Sequence, residues 1–196
     1  MIRVWRIPYS TNCARVELAA RLAGVPLDWV EVDAHDRAPV LAVSGQRRVP
    51  VAGFDGEIVI GSLQVVARIA PSLWPAATRE RAETEVFLDW FERVWMQALG
   101  VVSAEIAKPD PDVERIERAG RRLDGYMDRF EALLDGRDFV LGTTLSIADV
   151  ATYPLLRYAT DRTPGDDYAI HDELRRLLSV DGRPRLAAWL ERVAVI

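Results

Sequence analysis

Ile2, Val4, Trp5 and Ile7 open the chain as a short run of large and β-branched residues that Pro8 ends. Ser10, Thr11 and Asn12 then offer hydroxyls and an amide to the orphan N–H groups of a helix that the apolar spacing carries to about residue 22. Gly24-Val25-Pro26 breaks the pattern, and residues 27–32, with Trp29, Val30 and Val32, read as a second strand. A β-α-β unit places its two strands parallel and neighbouring in one sheet. A weak helix over 39–43 follows, and then two β-rich runs, 49–54 and 57–60, joined by Asp55-Gly56, spell a hairpin. Ser62 reads as the N-cap of a helix whose apolar face is Leu63, Val66, Ala67 and Ile69.

The period changes after the linker at 71–78, which holds Pro71 and Pro75. From there the pattern is helical throughout. Residues 79–107 carry Val86, Phe87, Trp90, Phe91, Val94, Trp95 and Ala98, a face wider than one core contact needs, as if it also covered a cleft or another subunit. A second long helix over 113–135 follows. Ser146-Ile147-Ala148-Asp149 then has the spacing of a capping box, Ser146 as N-cap and Asp149 as its reciprocal partner, at the head of a buried helix to about 158 that Pro154 interrupts or kinks. A polar loop at 161–167, a short helix over 173–178 and a last helix over 184–193 complete the expected order. The expected fold class is an α/β domain of order β-α-β-α-β-β-α over 1–70, and an all-α domain over 79–196.

Composition narrows the partners. The formal net charge of −5 is a poor match for nucleic acid or an anionic membrane surface, since both are met with a basic face. No apolar run reaches the length of a membrane helix, and the first residues lack the basic start and apolar core of a signal peptide, so the expectation is a cytoplasmic protein. Lys108 is the only lysine, a skew that points to GC-rich coding because the arginines are scattered among acids. Cys13 is the only cysteine, which excludes disulfide chemistry between two protein thiols within the chain. His35 and His171 fall in expected loops without metal-ligand spacing, and no metal is assigned.

The order of these elements, with Arg48-Val49-Pro50, Asp55-Gly56, Gly61-Ser62 and Ser146 to Asp149 in sequence, resembles the glutathione S-transferase superfamily over nearly the whole chain. The resemblance implies a thioredoxin-like domain joined to a helical bundle. It implies that Pro50 is a cis residue holding the Val49 backbone against the cysteinyl part of glutathione. By the same matching, Arg48 meets the glycyl carboxylate and Ser62 the γ-glutamyl carboxylate. Gly61 departs from the pattern, which has Glu, Asp or Gln there to hold the γ-glutamyl ammonium. Loss of a charge-assisted contact of about 1.5–3 kcal/mol weakens affinity about ten- to a hundredfold. Either another residue supplies that contact, or the thiol is a different low-molecular-weight one.

Such a transferase must present its cosubstrate's sulfur as thiolate. Lowering a thiol pKa by about two units takes about 2.7 kcal/mol. One hydroxyl donor, at about 1.5–3 kcal/mol, and a helix N-terminus, at about 0.3–1 kcal/mol, supply that. Ser10 matches the position of the serine in serine-type members and is the expected hydroxyl donor. Thr11 and Tyr9 are its rivals, Asn12 can add an amide, and Ser10 and Thr11 can equally serve only as helix caps. Trp90, Val94 and Trp95 are candidates for a hydrophobic electrophile pocket, or else pack the bundle or a dimer interface. The expected activity is attack of the activated thiol on a hydrophobic electrophile, by a homodimer with no tightly bound cofactor. A thiol-dependent isomerase or dehalogenase, and a non-catalytic binding or scaffolding module, are the alternatives.

Overall fold

The computed structural model describes residues 1–160 and 163–196, so the expected polar loop at 161–167 lies partly outside the described residues. The chain divides into two compact units, Met1–Trp74 and Pro75–Ile196.

In the first unit β1 (Ile2–Arg6), α1 (Thr11–Ala23), β2 (Leu27–Glu31), α2 (Ala38–Ser44), β3 (Val51–Phe54), β4 (Glu57–Ile60) and α3 (Ser62–Ile69) follow in the expected order. The sheet order is β2-β1-β3-β4. β1 and β2 are parallel with Val4 opposite Trp29, as the α1 crossover requires, and β3 runs antiparallel to both β1 and β4. The hairpin between β3 and β4 turns on Asp55 and Gly56, both at positive φ (48° and 94°), the backbone that a tight two-residue hairpin demands. Val4, Val51 and Ala52 from the sheet, Val16, Leu18 and Ala19 from α1, and Val65, Val66 and Ile69 from α3 form its buried core. α1 and α3 pack on one another, which fixes where their N-termini stand.

α3 corrects one expectation. Ser62 is its first residue, not its cap; Gly61 occupies the cap position with φ 96° and no side-chain capping bond. Val65 replaces the half-buried Leu63 and Ala67 on the buried face.

The second unit is helical: α4 (Thr78–Trp90), α5 (Met96–Ile106), α6 (Val113–Leu133), α7 (Ile147–Leu156), α8 (Ala169–Leu177) and α9 (Pro184–Ala194). A π-helical turn at Phe91–Trp95 joins α4 to α5 and advances the chain by one residue relative to the helical period. The broad face read from sequence is therefore divided. Phe87, Phe91 and Trp95 turn inward, Phe91 stacking on Trp95 with ring centroids 5.1 Å apart, while Val86 is 71% exposed.

α7 is buried along most of its length, and Pro154 lies within it without ending it. Its head is the reciprocal cap that the spacing predicts. Ser146 Oγ accepts from Ala148 N (3.2 Å) and donates to Asp149 Oδ2 (3.0 Å), and Asp149 Oδ2 accepts from Ser146 N (2.9 Å). Asp149 Oδ1 accepts from Val140 N and from Trp189 Nε1 of α9, each at 2.9 Å. α8 begins at Ala169, earlier than the sequence pattern marks, and contains His171, which is buried and not in a loop. His171 Nδ1 lies 2.7 Å from Asp166 Oδ1, and Asp166 Oδ2 accepts from Tyr158 Oη (2.9 Å) and Arg175 Nη2 (3.0 Å).

Candidate functional site

The polar residues of the first unit gather where α1 and α3 begin. Ser10 ends the β1–α1 connection as the N-cap of α1, its Oγ accepting from Cys13 N at a long 3.4 Å. Tyr9, just before it, has φ 60° and is 37% exposed, so the chain reverses sharply at this point. Thr11 and Asn12 are half-buried in the first turn of α1. With no acidic residue in that turn, the positive end of the helix dipole is uncompensated from within the helix.

Arg15 carries the geometry inward. It is 1% exposed, and its Nη1 donates both to Asn12 Oδ1 (3.1 Å) and to Ser62 Oγ (3.2 Å). Ser62 Oγ in turn lies 3.3 Å from Asn12 Oδ1. This closed triangle ties the first turn of α1 to the first residue of α3 and places a guanidinium charge behind both helix N-termini. An arginine on a helix is more often a surface or structural ion-pair residue, and the i, i+3 spacing of Asn12 and Arg15 on one helix face is the one local signal of this burial in the sequence.

Cys13 is buried one turn from Ser10. Burial pushes its thiol above the ordinary range, against the opposing hydrogen bonds of the Ser10 side chain and the Ile7 backbone. The Ser10 hydroxyl is thus beside the Cys13 thiol and opposes the effect of burial on it.

The Val49–Pro50 peptide bond is cis, and Pro50 is buried at the start of β3. Arg48 is exposed and among the described residues makes no ion pair. Its backbone is braced by Gln46, whose amide nitrogen donates to Arg48 O (2.8 Å) while its amide oxygen accepts from Arg48 N. Gln46 is thus a residue of this loop that motif reading passes over. At Gly61 a Cβ would collide with Gln64 Oε1, so the space that a side chain at 61 would fill is taken by the Gln64 carboxamide.

The three pocket candidates of the helical unit do not stay together. Trp90 lines an open groove of about 880 Å³ with Val86, Phe87, Arg129, Leu133, Arg137 and Leu141. Val94 is half-buried outside that groove. Trp95 is fully buried and is core, not pocket wall. Arg129 lies over the rings of Trp90 and Tyr126 at 5.8 and 5.5 Å. Among the described residues no helix is long and apolar enough to cross a membrane.

Known proteins match this arrangement from end to end. Residues 5–71 match the family model of the glutathione S-transferase N-terminal domain, and residues 113–192 that of the C-terminal domain. Glutathione S-transferase 3 of Zea mays is 25% identical over 211 aligned residues, covering 98% of this chain and 89% of its own. Glutathione S-transferase U4 of Arabidopsis thaliana is 25% identical, over 83% of this chain and 71% of its own. A glutathione transferase from Methylococcus capsulatus superimposes with a TM-score of 0.80 at 19% identity, covering 100% of this chain and 94% of that one. The theta-class enzyme of Xanthomonas axonopodis pv. citri, solved with glutathione bound, gives 0.73 at 23% identity, over 97% and 91%. With a thioredoxin-like unit of the right strand order and an all-helical unit whose α7 is headed by the Ser146–Asp149 cap, the chain belongs to the glutathione S-transferase superfamily.

Proposed function

We propose that this chain is a transferase that binds glutathione, or a related low-molecular-weight thiol, where α1 and α3 begin, and presents its sulfur as thiolate to a hydrophobic electrophile. The observation that carries the reading is the Asn12–Arg15–Ser62 triangle, which brings two helix N-termini and a buried guanidinium to one polar patch. Such a patch favours an anion at two points, a carboxylate near Ser62 and a thiolate near Ser10. Ser10 is the hydroxyl donor of choice over Thr11 and Tyr9, because its Oγ is fixed by the cap and lies close enough to sulfur to act on the Cys13 thiol. Capping uses a lone pair of Oγ and leaves its proton to donate, so the capping and sulfur-binding roles are compatible. Asn12 holds the triangle and is not itself the sulfur ligand. Arg48, exposed and unpaired among the described residues, receives the second carboxylate of the thiol. Val49 and Pro50 provide the strand edge for its middle part. Gln64 Oε1, lying over Gly61, supplies a neutral acceptor for the ligand ammonium.

Calorimetric titration with a panel of thiols tests this. Glutathione or a close relative binds in the micromolar to millimolar range, and no binding of any of them would favour a non-catalytic module. The same thiolate serves conjugation, isomerisation and dehalogenation, so comparing turnover of an aryl halide with cis–trans isomerisation of a maleyl acid assigns the reaction. We also propose that the chain is a cytoplasmic homodimer whose second copy covers the groove at Val86 and Trp90. Its arginines Arg129 and Arg137 suit the net acidic surface of that copy. Sedimentation of wild type against Val86→Glu checks this, and a monomeric wild type would contradict it.

A further inference from the structure

We infer that Gln64 sets the class of thiol this chain accepts: its neutral carboxamide, at the place where the side chain of residue 61 would begin, removes the need for a free α-ammonium, so that thiols whose α-amino group is acylated bind about as well as glutathione. The inference rests on the function proposed above and names the thiols that the same site takes.

The α-amino nitrogen of such a thiol is attached to the carbon next to the carboxylate received at Ser62, so the groups beside Ser62 are the ones it meets. Three observations describe that place. Gly61 has φ 96°, a conformation in which any side chain is strained, so position 61 is closed to an acid by its backbone as well as by its residue type. A Cβ built there would have Gln64 Oε1, Cδ and Nε2 as its three nearest atoms, so the Gln64 carboxamide curls back over the start of α3. The first turns of α1 and α3 hold no acidic residue, and both helix N-termini favour an anion over a cation.

A carboxylate can only accept, and it repels the carbonyl oxygen that an acylated nitrogen brings with it. A carboxamide accepts through Oε1 and donates through Nε2, and a turn of its last torsion exchanges the two. One orientation accepts from an ammonium and the other donates to an acyl carbonyl. The bond to an ammonium is then one between an ion and a dipole, so acylating the amine gives up less than it would opposite a carboxylate, and Nε2 returns a bond to the new carbonyl. Gln64 is exposed, so its end can move aside for the acyl group while Val65 and Val66 behind it stay buried. Arg68, one turn further along α3, donates to Glu57 at 2.6 Å and is held away from the carboxamide.

Calorimetry compares glutathione with N-acetylglutathione, which keeps the thiol and both carboxylates. Wild type binds glutathione no more than about fivefold tighter than the acetylated form. Gln64→Glu supplies an acid at this place without a side chain at Gly61, and shifts the ratio towards glutathione by about tenfold or more. Gln64→Ala, which removes the carboxamide, weakens N-acetylglutathione binding severalfold, so the idea stays testable if Gln64→Glu folds poorly. A wild type that prefers glutathione by more than about fivefold, a ratio unmoved in Gln64→Glu, or an unchanged N-acetylglutathione affinity in Gln64→Ala overturns the inference and leaves the proposed function standing. A wild type that binds neither thiol overturns both.

Discussion

Two serines in this chain cap helices, and they do it differently. Ser146 caps α7 in a closed arrangement: its oxygen accepts from Ala148 N, its proton goes to Asp149, and Asp149 also accepts from its backbone N–H, all of it buried. Ser10 caps α1 through one long bond of 3.4 Å, half-buried, with no acidic partner in the first turn. A cap whose every donor and acceptor is used inside the protein has nothing left for a ligand. A cap with spare capacity at an uncompensated helix N-terminus can bind one. The difference separates a group that holds the fold from a group that does chemistry, even though the residue type and local role are the same.

The comparison breaks first at Asp149. Asp149→Ala leaves four buried donors facing a void and is expected to cost about 3–4 kcal/mol, read as a lower urea midpoint with unchanged slope. A cost below about 1 kcal/mol would mean that the closed cap is not what secures α7. Ser146→Ala removes one member of the box and is expected to cost about 1–2 kcal/mol, against about 0.5–1 kcal/mol for Ser10→Ala, because the Ser10 bond is long and water reaches the site. Equal costs at the two serines would erase the distinction.

A pH dependence sharpens it further. Burial pushes the Asp166 carboxyl up, but the hydrogen bonds from His171 and Tyr158 outweigh it and hold the group below the usual carboxylate range. A carboxylate depressed in the folded state contributes stability that is present above its unfolded pKa and lost as pH falls through its folded pKa. Urea midpoints measured from pH 6 down to pH 2 are therefore expected to fall through the carboxylate range, and less steeply in Asp166→Asn. The smallest expected effect is at Cys13. Its raised thiol pKa and burial predict slow reaction with a thiol reagent in the native protein and fast reaction after unfolding.

How much of this was legible in the sequence depends on how local the cause is. The Asp55-Gly56 hairpin and the Ser146–Asp149 box are set by residues within four positions of each other, and both appear as the pattern predicts. The facing of Trp95 follows a single extra residue in the turn Phe91–Trp95, which no hydrophobic count distinguishes from a regular helix. The role of Ser62 depends on Gly61 taking φ 96°, so that the helix starts one residue earlier than serine's capping preference suggests. Arg15 is the clearest case. Its type says surface, and only the docking of α3 on α1 supplies Ser62 as a partner 47 positions away that makes its burial tolerable.

The claim that Ser10 has the spare hydroxyl is tested most directly by titrating the bound thiol through its thiolate ultraviolet absorbance. The account predicts a bound pKa about two units below that of the free thiol in wild type, and a rise of about one unit or more in Ser10→Ala with the thiol still bound. The same low pKa in both proteins would contradict it and move the sulfur to another donor of the β1–α1 turn.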